Sequence, residues 1–111
     1  MNLDHGYDFL MKPLARHLRK QGFTEEQIDR LAAIARQGTP FERLAIRLAS
    51  AYLLLRMKRL SGTAATKGVE KAYWVAKEYM ESGRIAEVGD FARWLWKVAY
   101  NEARQHSGVE L

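Results

Sequence analysis

Apolar residues recur along this chain at intervals of three and four, and no stretch alternates as a half-buried strand would. The spacing and its punctuation predict five helices. The first is expected from Tyr7 to Gln21, with Leu10, Leu14 and Leu18 on one face. Pro13 either kinks it or stands in its first turn if the helix starts later. Gly22 can take the left-handed conformation that ends it. Thr24 with Gln27 then reads as a capping box, Phe23 and Ile28 stand at the staple positions, and Ile28, Leu31, Ile34 and Ala35 form the inner stripe up to Gly38.

Thr39-Pro40-Phe41-Glu42 is a second strong start: a cap, a proline at the first helical position and a reciprocal carboxylate. The helix it opens runs to about Leu60 and ends at Ser61-Gly62. Its apolar positions (Phe41, Leu44, Ile46, Leu48, Tyr52, Leu53, Leu55 and Met57) cover roughly two thirds of the helical wheel. Such a helix is central to the domain or faces a partner as well, with Arg43, Arg47, Ser50 and Lys58 on the remaining arc. Thr63 or Thr66 is expected to cap a fourth helix ending before Gly83, with Val69, Ala72, Tyr73, Ala76 and Met80 inward. Arg84 to Gly89 is a connector or weak first turn. Asp90 can cap a fifth helix from Phe91 to about Gln105, with Phe91, Trp94, Leu95, Val98 and Glu102 on one side. Ser107 to Leu111 reads as a tail. With 111 residues the expectation is one all-α domain, a compact bundle with the third helix at its centre and helices three to five supplying most of the core.

Composition narrows the function classes. With no cysteine, a disulfide scaffold, a thiolate metal site and a cysteine nucleophile are all out. Met1 to Met11 carries Asp4 and Asp8 and no long apolar run, so it does not read as a secretory signal. Arg47 and Arg56 interrupt the longest apolar stretch, which is too short for a bilayer, and the expectation is a cytoplasmic protein without membrane contact. The net charge of +5 is unevenly placed: residues 1–60 hold eleven Lys or Arg against six Asp or Glu, and the rest hold seven against seven. A basic surplus suits a polyanion, nucleic acid first among them, though it also serves solubility.

Catalytic patterns do not emerge. His5, His17 and His106 fall outside any HExxH or ExxH spacing, and Glu102 with His106 at a helix end makes a poor metal site. Gly62 to Gly68 lacks the Walker spacing and reads as a helix cap, and none of the four serines has a nucleophile-elbow context. The pairs Asp4 with Asp8 and Glu78 with Glu81 read as exposed charge rather than an enclosed acid–base site. A non-enzymatic protein with no cofactor and no metal is expected.

Three surfaces could bind. Lys12, Arg16, Arg19 and Lys20 lie along one side of the first helix, and Arg56, Lys58 and Arg59 close the third, with Arg43 and Arg47 on its polar arc. Their role is phosphate contact, or complementing the helix dipole at a C-terminus. On the fifth helix Arg93, Trp96, Lys97, Tyr100 and Arg104 share a narrow arc. Trp94 and Trp96 stand about 200° apart on the wheel, so one of them must reach the surface or an interface. Aromatic rings among Arg and Lys suit stacking on unpaired bases, a protein hot spot, or packing on a neighbouring helix. A helix-turn-helix reading of Leu18 to Ile34 fails. Glu25, Glu26 and Asp29 would repel phosphates, and the helix after Gly38 is too apolar for a major groove.

Phe91-Ala92-Arg93-Trp94-Leu95 followed by Val98-Ala99-Tyr100 resembles the closing helix of the small all-helical subunits of CRISPR effector complexes, especially the type III kind; the likeness covers about twenty residues. Gly83-Arg84 corresponds to that family's glycine–arginine step. The resemblance implies a non-enzymatic bundle that stacks in copies along an RNA-guided complex and touches nucleic acid through its backbone. Two functions are carried forward. One is a nucleic-acid-binding subunit of a larger ribonucleoprotein or nucleoprotein complex, with RNA or single-stranded DNA favoured and other subunits, including copies of itself, as protein partners. The other is a protein-interaction module, such as a phage- or plasmid-encoded inhibitor or adaptor, using the Trp96 and Tyr100 face.

Overall fold

Side chains next to the helix ends set most of the boundaries. In the computed structural model, which describes residues 10–107, Thr24 and Thr39 close reciprocal capping boxes. Thr24 Oγ1 accepts from the Gln27 amide and Gln27 Oε1 from the Thr24 amide, at 3.1 and 2.9 Å. Thr39 and Glu42 repeat the exchange at 3.1 and 2.8 Å. These boxes open α2 (Glu25–Gln37) and α3 (Pro40–Met57), the latter with Pro40 in its first turn where no amide hydrogen is needed. Asp90 Oδ1 caps α5 (Phe91–Ser107) by accepting from the Arg93 amide at 3.1 Å.

The fourth start differs from expectation. Neither Thr63 nor Thr66 caps α4 (Gly62–Glu81); Ser61 does, through the Ala64 amide at 3.1 Å. Ser61 is extended and follows shortly after the turn that ends α3, so the helix begins before either threonine is reached. A short 3-10 turn (Arg84–Val88) follows α4 and fills the expected connector. α1 spans Met11–Lys20 with Pro13 in its first turn; the expected start at Tyr7 lies outside the described residues, as do His5 and the Ser107-to-Leu111 tail beyond its first residue. Gly22, at φ 94°, ends α1 as expected, and the Phe23 amide closes the turn on the Leu18 carbonyl at 3.0 Å.

The described residues thus form five α-helices and no strand, a small all-α bundle, 42 × 38 × 16 Å and little more than one layer of helices thick on its short axis. α3 is its centre, touching all four other helices. One core cluster joins Leu44, Leu48, Ala51 and Leu55 of α3 to Ala65, Ala72 and Ala76 of α4 and to Phe91, Leu95, Ala99 and Ala103 of α5. A smaller one on the opposite side of α3 joins Met11 and Leu14 of α1 to Ala35 of α2, with Ile46 and Leu53 packed on it. Helices three to five do supply most of the core. No described helix is long and apolar enough to cross a membrane.

α4 and α5 pack through small residues. Ala65, Gly68, Ala72 and Ala76 on α4 face Ala92, Ala99 and Ala103 on α5, so the two backbones come close. This buried face is shifted from the expected one, since Val69, Tyr73 and Met80 are only half-buried at its edge. Three other apolar positions stand outside the core: Ile34, Phe41 and Met57 are exposed, and Ala32 takes the place expected for Ile34 in the α2 stripe.

The polar arc of α3 is the largest departure. Arg47 and Ser50, expected outward, are both fully buried. Backbone accounting explains the reversal, because helix ends leave donors and acceptors without intrahelical partners. Ser50 Oγ accepts from the Leu14 amide at 3.1 Å, at the start of α1. The Arg47 guanidinium donates to the Ala35 carbonyl in the last turn of α2 at 3.3 Å and to the Arg43 carbonyl at 3.2 Å, and it lies 5.9 Å from the centre of the Phe91 ring. Arg43, half-buried, donates from Nε to the Gly38 carbonyl at 2.8 Å.

A candidate nucleic-acid interface

Packing of α1 on α3 brings together two basic surfaces that the sequence holds apart. Between them runs a groove of ≈ 310 Å³ walled by Pro13, Arg16, His17 and Lys20 of α1 and by Leu53, Arg56 and Met57 of α3. It continues past Lys12 and Leu54. Among the described residues, every charged residue on these walls is a cation and no carboxylate lines them. Lys12, Arg16, Lys20 and Arg56 are all exposed, and so is Met57, which forms an apolar lip. An anion entering here meets four cations from two helices over an apolar floor.

The other expected phosphate contacts divide. Arg19 borders a neighbouring hollow with Lys12, Arg16 and Lys20, but it makes a two-pronged ion pair with Glu25 at 2.7 and 3.1 Å. That hydrogen bond holds the Glu25 carboxyl below its usual pKa. Arg47 does not serve, because it is sealed in the core, so the expectation that it contacts nucleic acid is corrected; Arg43, half-buried, caps α2. Lys58 and Arg59 are exposed at the α3–α4 turn. Arg59 sits at φ 67°, the only described non-glycine residue with a positive φ, and the Leu60 amide closes the turn on the Leu55 carbonyl at 3.3 Å.

Glycine is the usual residue there, because a side chain in the left-handed region costs on the order of 1 kcal/mol. Arg59→Gly is therefore expected to stabilise the fold by about 0.5–1 kcal/mol, read as a rise of a few degrees in the thermal midpoint. Unchanged or lower stability would show that the arginine side chain holds the turn.

The arc on α5 is assembled as expected. The Trp96 and Tyr100 rings stack 5.3 Å apart with 16° between their planes, and the Arg104 guanidinium lies 5.6 Å over Tyr100. Arg93 and Lys97 are exposed beside them. Trp94 and Trp96 share the burden, each half-buried, with Trp94 against Tyr79 and Phe91 at 5.1 and 6.0 Å. Both reach the surface in part, because the thin bundle covers each flank of α5 only partly.

Sequence reasoning missed an aromatic patch across α3 and α4. Phe41 and Trp74 are 61% and 58% exposed. Tyr73 joins them edge-to-face, 6.4 Å from Phe41 and 5.1 Å from Trp74, and Lys77 lies 5.1 Å over the Trp74 ring. The one available signal was that Tyr73 and Trp74 are adjacent on a helix and cannot both face inward. Glu102 and His106 pair at 2.9 Å, as their spacing suggested, and no group of three or more metal-ligating side chains forms among the described residues. Compared with known protein families, with characterised proteins and with solved structures, the chain has no match, and the site is read from its residues alone.

Proposed function

We propose that this chain is a non-enzymatic helical subunit of a larger nucleoprotein complex and binds the nucleic-acid backbone in the groove between α1 and α3. The observation carrying this reading is the convergence of Lys12, Arg16, Lys20 and Arg56 on one groove, with no carboxylate in its walls among the described residues. Phosphate contacts of this kind position a nucleic acid without reading its sequence. The likeness of α5 to the small subunits of CRISPR effectors makes such a subunit the specific form of the proposal, working in the cytoplasm beside other protein subunits.

Four phosphate contacts to a single strand give a log–log salt slope of about −3, or roughly 50-fold weaker binding between 50 and 200 mM salt. Replacing Arg16, Lys20 and Arg56 together by Gln is expected to weaken binding to all sequences alike and to flatten the slope by about 2. Fluorescence anisotropy with labelled RNA, single-stranded DNA and duplex reads both quantities. A salt-independent affinity, or a triple variant that binds as wild type does, overturns the proposal.

The protein-interaction reading is favoured by a different observation, the exposed Phe41–Tyr73–Trp74 patch. Its neighbours on α4 carry both signs, Lys71 and Lys77 beside Glu70 and Glu78. An aromatic centre in a mixed polar rim is how protein hot spots are built. Both surfaces can operate in one subunit of an assembly.

A further inference from the structure

The groove leaves the outer face of α4 without a function. Lys67, Glu70, Trp74, Lys77 and Glu81 recur there at intervals of three and four. They form one stripe, about 21 Å long, on the side of the helix away from its buried residues Ala65, Gly68, Ala72 and Ala76. All are exposed except Lys77, which is half-buried. We infer that this stripe pairs two copies of the chain, α4 against α4 in antiparallel directions, about a two-fold axis at Trp74. The inference names the partner for the protein-interaction reading above and is independent of the groove.

The order of charges carries it. Along the stripe they run plus, minus, Trp, plus, minus. Laid antiparallel on itself, that order sets Lys67 opposite the partner's Glu81, Glu70 opposite the partner's Lys77, and the two tryptophans at the centre. The two-fold makes each charge pair twice. Laid parallel, every charge meets its like. The same order also allows local pairs along one helix, Lys67 with Glu70 and Lys77 with Glu81. Among the described residues, however, none of the four charges is in an ion pair. The apolar centre is open as well. More than half of the Trp74 surface is exposed although Lys77 lies 5.1 Å over its ring, and Phe41, joined to it through Tyr73, is equally open. A lysine can keep its methylene stem on such a ring while its ammonium reaches a carboxylate. An aromatic centre between charged flanks is the build of a protein contact. One helical seam of this length falls below the roughly 1,200 Å² of a firm complex, so the dimer is a weak one that fills at high protein concentration.

Sedimentation equilibrium of the full chain, without nucleic acid, over about 10 µM to 1 mM covers the range of weak complexes. The mass is expected to rise from one chain towards two and no further, because a two-fold contact closes on itself. Trp74→Ala is expected to weaken the dimer at least about tenfold. Glu70→Lys and Lys77→Glu each set like charges opposite one another twice, and each is expected to weaken it roughly tenfold. Combining the two changes in one chain restores opposite charges across an antiparallel pair, and dimerisation is expected to return. Circular dichroism confirms that the variants, all at surface positions, are folded. A single-chain mass throughout the range overturns the inference and leaves the patch open to a different protein. A dimer that neither Trp74→Ala nor the charge variants weaken forms through another face, which overturns the inference and the role given to the patch. A double variant as weak as the single ones also overturns the inference, because the charges then do not meet across a two-fold.

Discussion

Gly68→Ala lowers the stability of the fold by about 1–3 kcal/mol, although it replaces the poorest ordinary helix former with the best. In an exposed helix interior the same change would stabilise by about 1 kcal/mol. Here a Cβ on Gly68 would lie 2.4 Å from the Ala99 carbonyl oxygen and 2.9 Å from the Ala103 Cβ. The first of these is backbone and cannot step aside by changing rotamer. α4 and α5 must separate or rotate, and the close contact between their small residues opens with them. Urea unfolding measures the change directly, and a larger residue such as Val is expected to cost more. A Gly68→Ala protein as stable as wild type would mean that the two helices do not approach as closely as described.

Arg47→Ala is expected to destabilise the fold by about 3 kcal/mol or more. Two losses combine. The Ala35 carbonyl at the end of α2 is left buried without its guanidinium donor, and the space against Phe91 is left empty. Arg47→Met separates them: it fills the volume without supplying the donor and is expected to recover part of the loss. Wherever these variants remain folded, their affinity for nucleic acid stays that of wild type, because the arginine never reaches solvent. Reduced binding by a folded Arg47→Met protein would contradict the burial.

These two positions also mark how far the sequence could be read. Helix starts were legible where the cap is local, as at Thr24, Thr39 and Asp90, whose partners lie three residues away. The central place of α3 was legible too, since a helix with so wide an apolar surface needs neighbours on several sides. Its sidedness was not. A helical wheel sends Arg47 and Ser50 outward, but their partners are backbone groups at the ends of α1 and α2, which periodicity does not register. Gly68 read as part of a helix cap, because Gly62 to Gly68 has the composition of one. Its role depends on α5, thirty residues further on. For the candidate site, the right cations on α1 and at the end of α3 were identifiable individually. That Arg16 and Arg56 share a groove is a consequence of tertiary packing across forty residues of chain. The α5 arc was readable from a single helix, because stacking at positions four apart is a local property.

The position of α3 between two clusters of unequal size has a dynamic consequence. Among the described residues α1 and α2 pack chiefly on α3 and on each other, and the cluster of Met11, Leu14 and Ala35 between them is smaller than the one that binds α3 to α4 and α5. The chain therefore has two cooperative units that share one helix. The α1–α2 unit can lift away at a lower free energy than global unfolding, and its amide hydrogens exchange by that route while those of α4 and α5 wait for the whole fold to open. The groove has one wall on each side of this seam. An anion held there binds only the closed form, so occupancy and local opening are thermodynamically linked, and the ligand slows exchange in a helix whose backbone it does not touch.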